Sequence, residues 1–304
     1  MYIIIQNIVI CTNIFQSIKY RSMKKTAIVL EGGGLRGAYT AGALSWLIDN
    51  NIQLDNGYGI STGAVYLVNY VLKNKENLKA FSTHYIRHKK VLGVNAFLHS
   101  GHIVDYDYLF DTLLPKELNF NIDNISDYNC DAYIGVYDLS IGETIYLPLK
   151  GLTMQELKAS TSLPILGKTI NCNGKKYLDG GITDMIPINQ AIKDGCNRNI
   201  VITTKPADYV RKPAKKAIVK LMKATYPECK NISKDYEIRH INYSKQIELI
   251  KQLEQDKQAI YIYPSKHSNV SRISGSKEEL FELYDLGRSD MEDRKEDILS
   301  LLND

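Results

Sequence analysis

The apolar positions of this chain fall into short runs separated by stretches of helical spacing, and the first run sets the frame. Thr26–Leu30 is apolar and partly β-branched, and reads as a buried strand. Gly32, Gly33 and Gly34 break it, and Leu35 to Ile48 resumes with helical composition, predicting a helix over 37–50. Asn56–Ile60 leads into Ser61–Tyr70, which has helical character. Helices are expected over 77–90 and 105–114, with a Gly/His-containing loop from Asn95 to Val104 between them. Ala132–Tyr137 is strand-like, and Glu143–Leu147 can pair with it as a hairpin. Thr153–Ser160 is a short helix stopped near Pro164. Lys175–Leu178 ends in Asp179-Gly180-Gly181, Pro187 opens a helix to Lys193, and Asn199–Thr204 is a strand. Helical stretches follow at 214–225, 232–257 and 277–302, with one late strand, Ala259–Tyr263. Strands alternating with helices predict an α/β fold whose sheet is largely parallel. Residues 23–205 carry the core pattern, and 206–304 read as a mainly helical region packed on the same domain.

The first 22 residues stand apart. Tyr2–Phe15 is apolar but interrupted by Gln6, Asn7, Thr12 and Asn13, too short and too polar to span a bilayer. Its positive charges (Lys19, Arg21, Lys24, Lys25) follow the apolar stretch instead of preceding it, the reverse of a secretory signal. Residues 1–22 are therefore expected to be an extension outside the fold.

Bulk composition narrows the function classes. The chain has 304 residues, 44% hydrophobic and 24% charged, which suits an ordinary globular protein. A net charge of +4 is too weak to argue for nucleic acid. Cys11, Cys130, Cys172, Cys196 and Cys229 are scattered, with no C-x-x-C pair, so neither a disulfide framework nor a zinc site is expected. That usage fits a reducing, cytoplasmic setting. No metal ligand cluster and no cofactor are implied.

Chemistry enters at the glycines. A strand that turns through Gly32, Gly33 and Gly34 into a helix presents bare backbone N–H groups at a helix N-terminus, where the dipole favours negative charge. Such a loop holds a phosphate or a transient oxyanion. Gly32-x-Gly34-x-x-Gly37 satisfies the dinucleotide fingerprint, and Asp55 lies 18 residues beyond Gly37, near where an acid would hold a ribose. Gly59-Ile60-Ser61-Thr62-Gly63 weighs against that reading. It matches G-x-S-x-G between an extended stretch and a helix, the sharp turn that lifts a serine hydroxyl out of a fold. A dehydrogenase has no use for it, whereas an acyl hydrolase needs both a nucleophile and amides for the oxyanion. The candidate base is Asp179, on a tight turn before Gly180 and Gly181.

Glu31-Gly-Gly-Gly-Leu-Arg-Gly37, Gly59-Ile-Ser-Thr-Gly63 and Asp179-Gly-Gly181 resemble, in order and spacing, the motifs of the patatin-like phospholipases. Ala159-Ser-Thr-Ser-Leu-Pro164 is similar to that family's segment between nucleophile and aspartate, and the match covers residues 25–205. Thr62 stands where many members carry a small residue, and the Asn-Asn-Pro that follows Asp-Gly-Gly in plant members is absent. The resemblance implies a three-layer α/β/α hydrolase and a Ser–Asp dyad without histidine. Ser61 would attack an ester carbonyl, Asp179 would accept its proton, and amides of Gly32, Gly33 and Gly34 would hold the oxyanion. Gly37, Gly59, Gly63, Gly180 and Gly181 would shape the motifs, and Arg36 would brace the loop or meet an anionic substrate group. The substrate would be a carboxylic ester of a lipid, with no metal and no cofactor.

Two alternatives remain open on residues alone. A Ser-His-Asp triad would recruit His240 or His267, and a non-catalytic patatin-like module would bind lipid or a partner without turnover. A basic run at 205–223 (Arg211, Lys212, Lys215, Lys216, Lys220, Lys223) is opposed only by Asp208. With Ile218, Val219, Leu221 and Met222 on one side it reads as an amphipathic helix suited to peripheral contact with anionic membranes.

Overall fold

The computed structural model describes residues 24–123, 125 and 130–303. The expectation for residues 1–22 lies outside them. A single mixed sheet organises the rest. Four parallel pairings join β1 (Thr26–Leu30) to β2 (Asn56–Ile60) and β7 (Arg198–Ile202), β2 to β3 (Asp131–Asp138), and β7 to β8 (Ala259–Ile262). Beyond β3 the pairing turns antiparallel: β3 pairs with β4 (Glu143–Pro148) as the expected hairpin and with β6 (Lys175–Asp179), which pairs with β5 (Ile170–Cys172). The late strand thus places the C-terminal region in the same sheet as the core.

Alternation along the central strands explains why their sequences are apolar throughout. Ile28 and Leu30 of β1 face one core and Ala27 and Val29 the other; Ile200 and Ile202 of β7 oppose Val201 in the same way. Helices cover both faces. α1 (Ala38–Asp49), α2 (Thr62–Val71) and the long helix Lys277–Asp293 supply the first core. Ile188–Lys193 and Ile232–Gln255 supply the second. α1 and the 277–293 helix come into backbone contact because Gly42 and Gly287 face each other's chains. A Cβ on Gly42 would lie 1.9 Å from the Tyr284 carbonyl oxygen, and one on Gly287 2.1 Å from that of Tyr39.

Several local expectations change. The helix placed at 77–90 is Lys75–Ala80 followed by a π-helical turn, Phe81–Tyr85, and ends there. Residues read as a loop from Asn95 begin instead with a helix, Val94–Ser100, ended by Gly101 in the left-handed conformation. The Leu92–Val104 bridge then closes this excursion. The 277–302 stretch is two helices, Lys277–Asp293 and Lys295–Asn303, meeting at Arg294. Among the described residues no helix is long and apolar enough to cross a membrane.

Candidate active site

Strand β3 brings the two motif residues together by register. Its Gly135 pairs with Ile60 at the end of β2, and its next residue, Val136, pairs with Asp179 at the end of β6. Since β4 occupies the other edge of β3, β2 and β6 meet end to end along one edge. The residue after Ile60 is Ser61, so Ser61 and Asp179 are set side by side although 118 positions separate them (179 − 61). Close approach of the chains explains the glycines. A Cβ on Gly180 would lie 2.7 Å from the Gly135 carbonyl. The Asp179 amide is anchored on the Ser162 carbonyl at 2.8 Å, which gives the 159–164 segment its place in the site.

Ser61 turns between β2 and α2 with φ 57° and ψ −131°, a conformation that a residue with a Cβ adopts only under constraint. Gly59 and Gly63 admit the turn: a Cβ on Gly59 would meet the Gly63 carbonyl oxygen at 2.7 Å, and one on Gly63 would meet the Glu31 and Leu30 carbonyl oxygens at 2.9 Å. Asp179 is 3% exposed. Its Oδ1 accepts the Gly181 N–H at 2.7 Å, and its Oδ2 is buried without a well-formed hydrogen bond. Burial raises the carboxyl's pKa above the usual range, against the opposing pull of the Ser61 hydroxyl, the Gly181 amide, Arg239 and Arg272.

The glycine loop crosses above. The Gly32 N–H donates to the Met185 carbonyl at 3.3 Å, so that amide is already occupied. The Gly33 N–H makes a long 3.3 Å contact to Thr62 Oγ1, whose hydroxyl reaches the Gly34 carbonyl at 3.4 Å. Thr62, the departure from the common small residue, thereby ties the loop to the serine turn. Gly34 sits at φ 58° with a Cβ position only 2.3 Å from the Arg272 carbonyl oxygen, which also accepts the Leu35 N–H at 3.0 Å. Gly34→Ala is accordingly expected to push the loop off Arg272, costing about 1–3 kcal/mol of stability as read by chemical denaturation. Gly37 lies against the Tyr66 ring at the start of α1, and Arg36 turns its guanidinium into the site with its Nε buried and unpartnered.

Two pockets meet at Ser61. One is apolar, walled by Phe81, Ile86, Val104, Leu109, Phe110 and Leu163. The other holds Asp179 and the glycines together with Arg36, Arg211, Arg239 and Arg272. A hydroxyl between an apolar chamber and a buried carboxylate can accept an acyl group from one side and give up its proton to the other.

The patatin-like phospholipase family model matches residues 28–192, which hold the glycine loop, Ser61 and Asp179. The chain belongs to this family. A second model, a domain of unknown function (DUF6363), matches residues 229–303. Among curated proteins, the uncharacterized YjjU of Escherichia coli K12 is 26% identical over 199 residues, covering 62% of this chain and 54% of YjjU. The uncharacterized L620 of Acanthamoeba polyphaga mimivirus is 31% identical over 118 residues, covering 34% of this chain and 32% of L620. The chain thus spans about half of the first relative and a third of the second. VipD from Legionella pneumophila aligns structurally over 92% of this chain and 67% of its own, at 13% identity and a TM-score of 0.48.

In this patatin-like chain other sequence candidates fall elsewhere. Asp55 accepts from Thr26 at the opposite end of β1 from the glycine loop, its Oδ2 2.7 Å from Thr26 Oγ1, so it caps a strand and cannot reach a ligand on the loop. His240 Nδ1 contacts the Glu237 carbonyl of its own helix at 3.1 Å, and His267 pairs with Asp208 at 3.2 Å on the exposed surface. Lys205, counted in the basic run, is buried and ion-paired with Glu31, whose carboxylate also accepts the Thr204 N–H at 2.6 Å. Burial alone would raise the Glu31 carboxyl, but Lys205 and the Thr204 amide hold it below its ordinary value. Glu31→Gln leaves the Lys205 ammonium buried without its counter-charge, and a loss of about 3–5 kcal/mol in denaturant unfolding is expected. Arg239 and Arg272 had no motif to announce them; an arginine in a helix or loop reads as surface until the chain is folded.

Proposed function

We propose that the protein is a serine acyl hydrolase that cleaves carboxylic esters of lipids through a Ser61–Asp179 dyad. One observation carries the reading: the Ser61 hydroxyl, on a strained turn, lies between a buried carboxyl of raised pKa and a pocket lined by apolar side chains. The ester would bind with its acyl chain among Phe81, Val104, Leu109 and Phe110. Ser61 Oγ attacks the carbonyl carbon as its proton passes to Asp179, whose raised pKa makes it a better base than an ordinary carboxylate of about 3.9. Negative charge on the carbonyl oxygen is met by the amide of Gly34, by that of Gly33 as it exchanges its long 3.3 Å contact with Thr62 Oγ1 for the oxyanion, and by the N-terminus of α2. Gly32, with its amide on Met185, shapes the loop. Asp179 returns the proton to the leaving alkoxide, and then activates the water that releases the acyl-enzyme. The reading uses no histidine: His267 pairs with Asp208 on the exposed surface, and His240, in the outer groove beside Arg239, has its Nδ1 at the Glu237 carbonyl.

Residues 24–303 act as one catalytic unit in this reading. The helix Lys216–Thr225, with Lys216, Lys220 and Lys223 exposed and Leu221 43% exposed, offers a peripheral contact with anionic lipid. Lys205 and Arg211 are turned away from that surface toward the site. The test of the hydrolase is a fluorophosphonate probe followed by peptide mapping. The phosphonyl adduct is expected on Ser61 with loss of fluoride; a folded protein left unlabelled at Ser61 overturns the proposal.

A further inference from the structure

The pocket beside Ser61 contains more positive charge than a neutral ester requires. Arg36, Arg211, Arg239 and Arg272 all line it. Among the described residues none of the four has an ion-pair partner; the nearby Glu31 is taken up by Lys205. Two of them rest on aromatic rings. The Arg239 guanidinium lies 4.8 Å from the Tyr236 ring centre, and that of Arg211 5.6 Å from Tyr243. Stacking on a ring face steadies a guanidinium without neutralising it, so its N–H fork stays available to a ligand. The Nε atoms of Arg36 and Arg239 are buried and bonded to nothing. Burial, and then the like charges of Arg211 and Arg272, pull the Arg239 pKa down, the signature of a cation lacking its counter-ion.

Position adds direction. Arg239 Nη2 lies 3.8 Å from the Cβ position of Gly181, next to the Asp179 turn, and Arg272 borders both the apolar pocket and the cationic one. Arg211, Arg239 and Arg272 also line an adjoining groove that leads past Lys212 and Lys215 to solvent. Among the described residues only Asp179, itself of raised pKa, and the paired Glu31 bring carboxylates to this space. Arg211, Arg239 and Arg272 all lie outside the patatin-like match at 28–192, and Arg239 and Arg272 fall within the domain of unknown function at 229–303.

We propose that Arg211, Arg239 and Arg272 form an anion subsite that binds a compact negatively charged headgroup, a phosphate or carboxylate carried a few bonds from the scissile ester. This rests on the hydrolase reading and refines it: the apolar pocket takes the acyl chain, and the C-terminal region selects what leaves. The 229–303 domain therefore completes the active site. Paired charge-assisted contacts from guanidinium to phosphate or carboxylate supply both affinity and orientation.

The test compares oleoyl-lysophosphatidate with monooleoylglycerol, which share an acyl chain and differ in the phosphate, at constant ionic strength. The wild type is expected to prefer the anionic ester by at least about tenfold in kcat/KM, with inorganic phosphate inhibiting its hydrolysis competitively. Arg239→Gln is expected to collapse that preference, and Arg211→Gln, at a more exposed site, to reduce it with the fold intact. Equal kcat/KM for the two esters in a protein that labels at Ser61 overturns the subsite while leaving the hydrolase standing. Inorganic phosphate that accelerates monooleoylglycerol hydrolysis marks a site for a free anion and also overturns the headgroup assignment. Failure to label at Ser61 or to hydrolyse either ester sinks the hydrolase itself.

Discussion

Ser61→Ala is expected to lower ester hydrolysis by about four orders of magnitude or more and to eliminate fluorophosphonate labelling. Removing a nucleophile forfeits the covalent route entirely, and what survives is the modest help of binding and oxyanion amides to attack by water. The backbone at Ser61 makes the experiment doubly informative. With φ 57° and ψ −131° the residue is held in a region that costs of order 1–3 kcal/mol for a side chain with a Cβ. Ser61→Gly removes the hydroxyl and the steric conflict together, so it is expected to abolish turnover while the melting temperature stays level or rises. A position kept at the expense of stability is what a reactive site looks like; a serine there for packing would show the opposite, a melting temperature that falls with activity little changed. Hydrolysis within tenfold of wild type in Ser61→Ala would falsify the assignment.

The glycines, the serine and the aspartate were legible in the sequence because each is a local device. Glycine is demanded where chains touch, and Gly59, Gly63 and Gly180 stand where a single added carbon would lie under 3 Å from backbone. The sheet was legible for a similar reason, since strands buried on both faces leave uninterrupted runs such as Ala27–Leu30. Partnerships formed at long range were not. Nothing about Lys205 in a basic run separates it from its exposed neighbours; only the β1–β7 pairing, which puts Thr204 and Lys205 beside Glu31, buries it. Arg239 and Arg272 are likewise ordinary in sequence and become exceptional through the docking of the C-terminal helices. The helix at Val94–Ser100 is only seven residues long between Gly93 and Gly101, so the i, i+3, i+4 spacing of Val94, Phe97 and Leu98 is too short a pattern to stand out from a loop. The placement of Ser61 beside Asp179 depends on β3, whose consecutive residues Gly135 and Val136 pair with two different strands, a register no motif encodes.

Asp179→Asn separates the chemistry of that carboxyl from its structural part. The asparagine carbonyl keeps an acceptor for the Gly181 N–H, bonded at 2.7 Å in the wild type, so the turn should persist. The base is lost, and a fall in kcat of about 100–10,000-fold is expected. Stability should move the other way. Burial raises the Asp179 pKa in the folded state, so between the unfolded and folded values the folded chain holds a proton that the unfolded chain has released. Stability therefore declines as pH rises through that window, and above it the ionised carboxylate is a net cost to folding. Asp179→Asn relieves that cost. At neutral pH the variant is expected to match or exceed the wild type in denaturant midpoint, and the difference should shrink as pH drops below the ordinary carboxylate range. In wild-type rate profiles the same ionisation appears as an acid limb displaced above the range of an ordinary aspartate, about 3.9, because only the deprotonated carboxylate can receive the Ser61 proton. If Asp179→Asn retains both turnover and the acid limb, the Ser61 proton goes to another group. If the same variant unfolds at neutral pH, the ionised carboxylate is needed to hold the 179–181 turn.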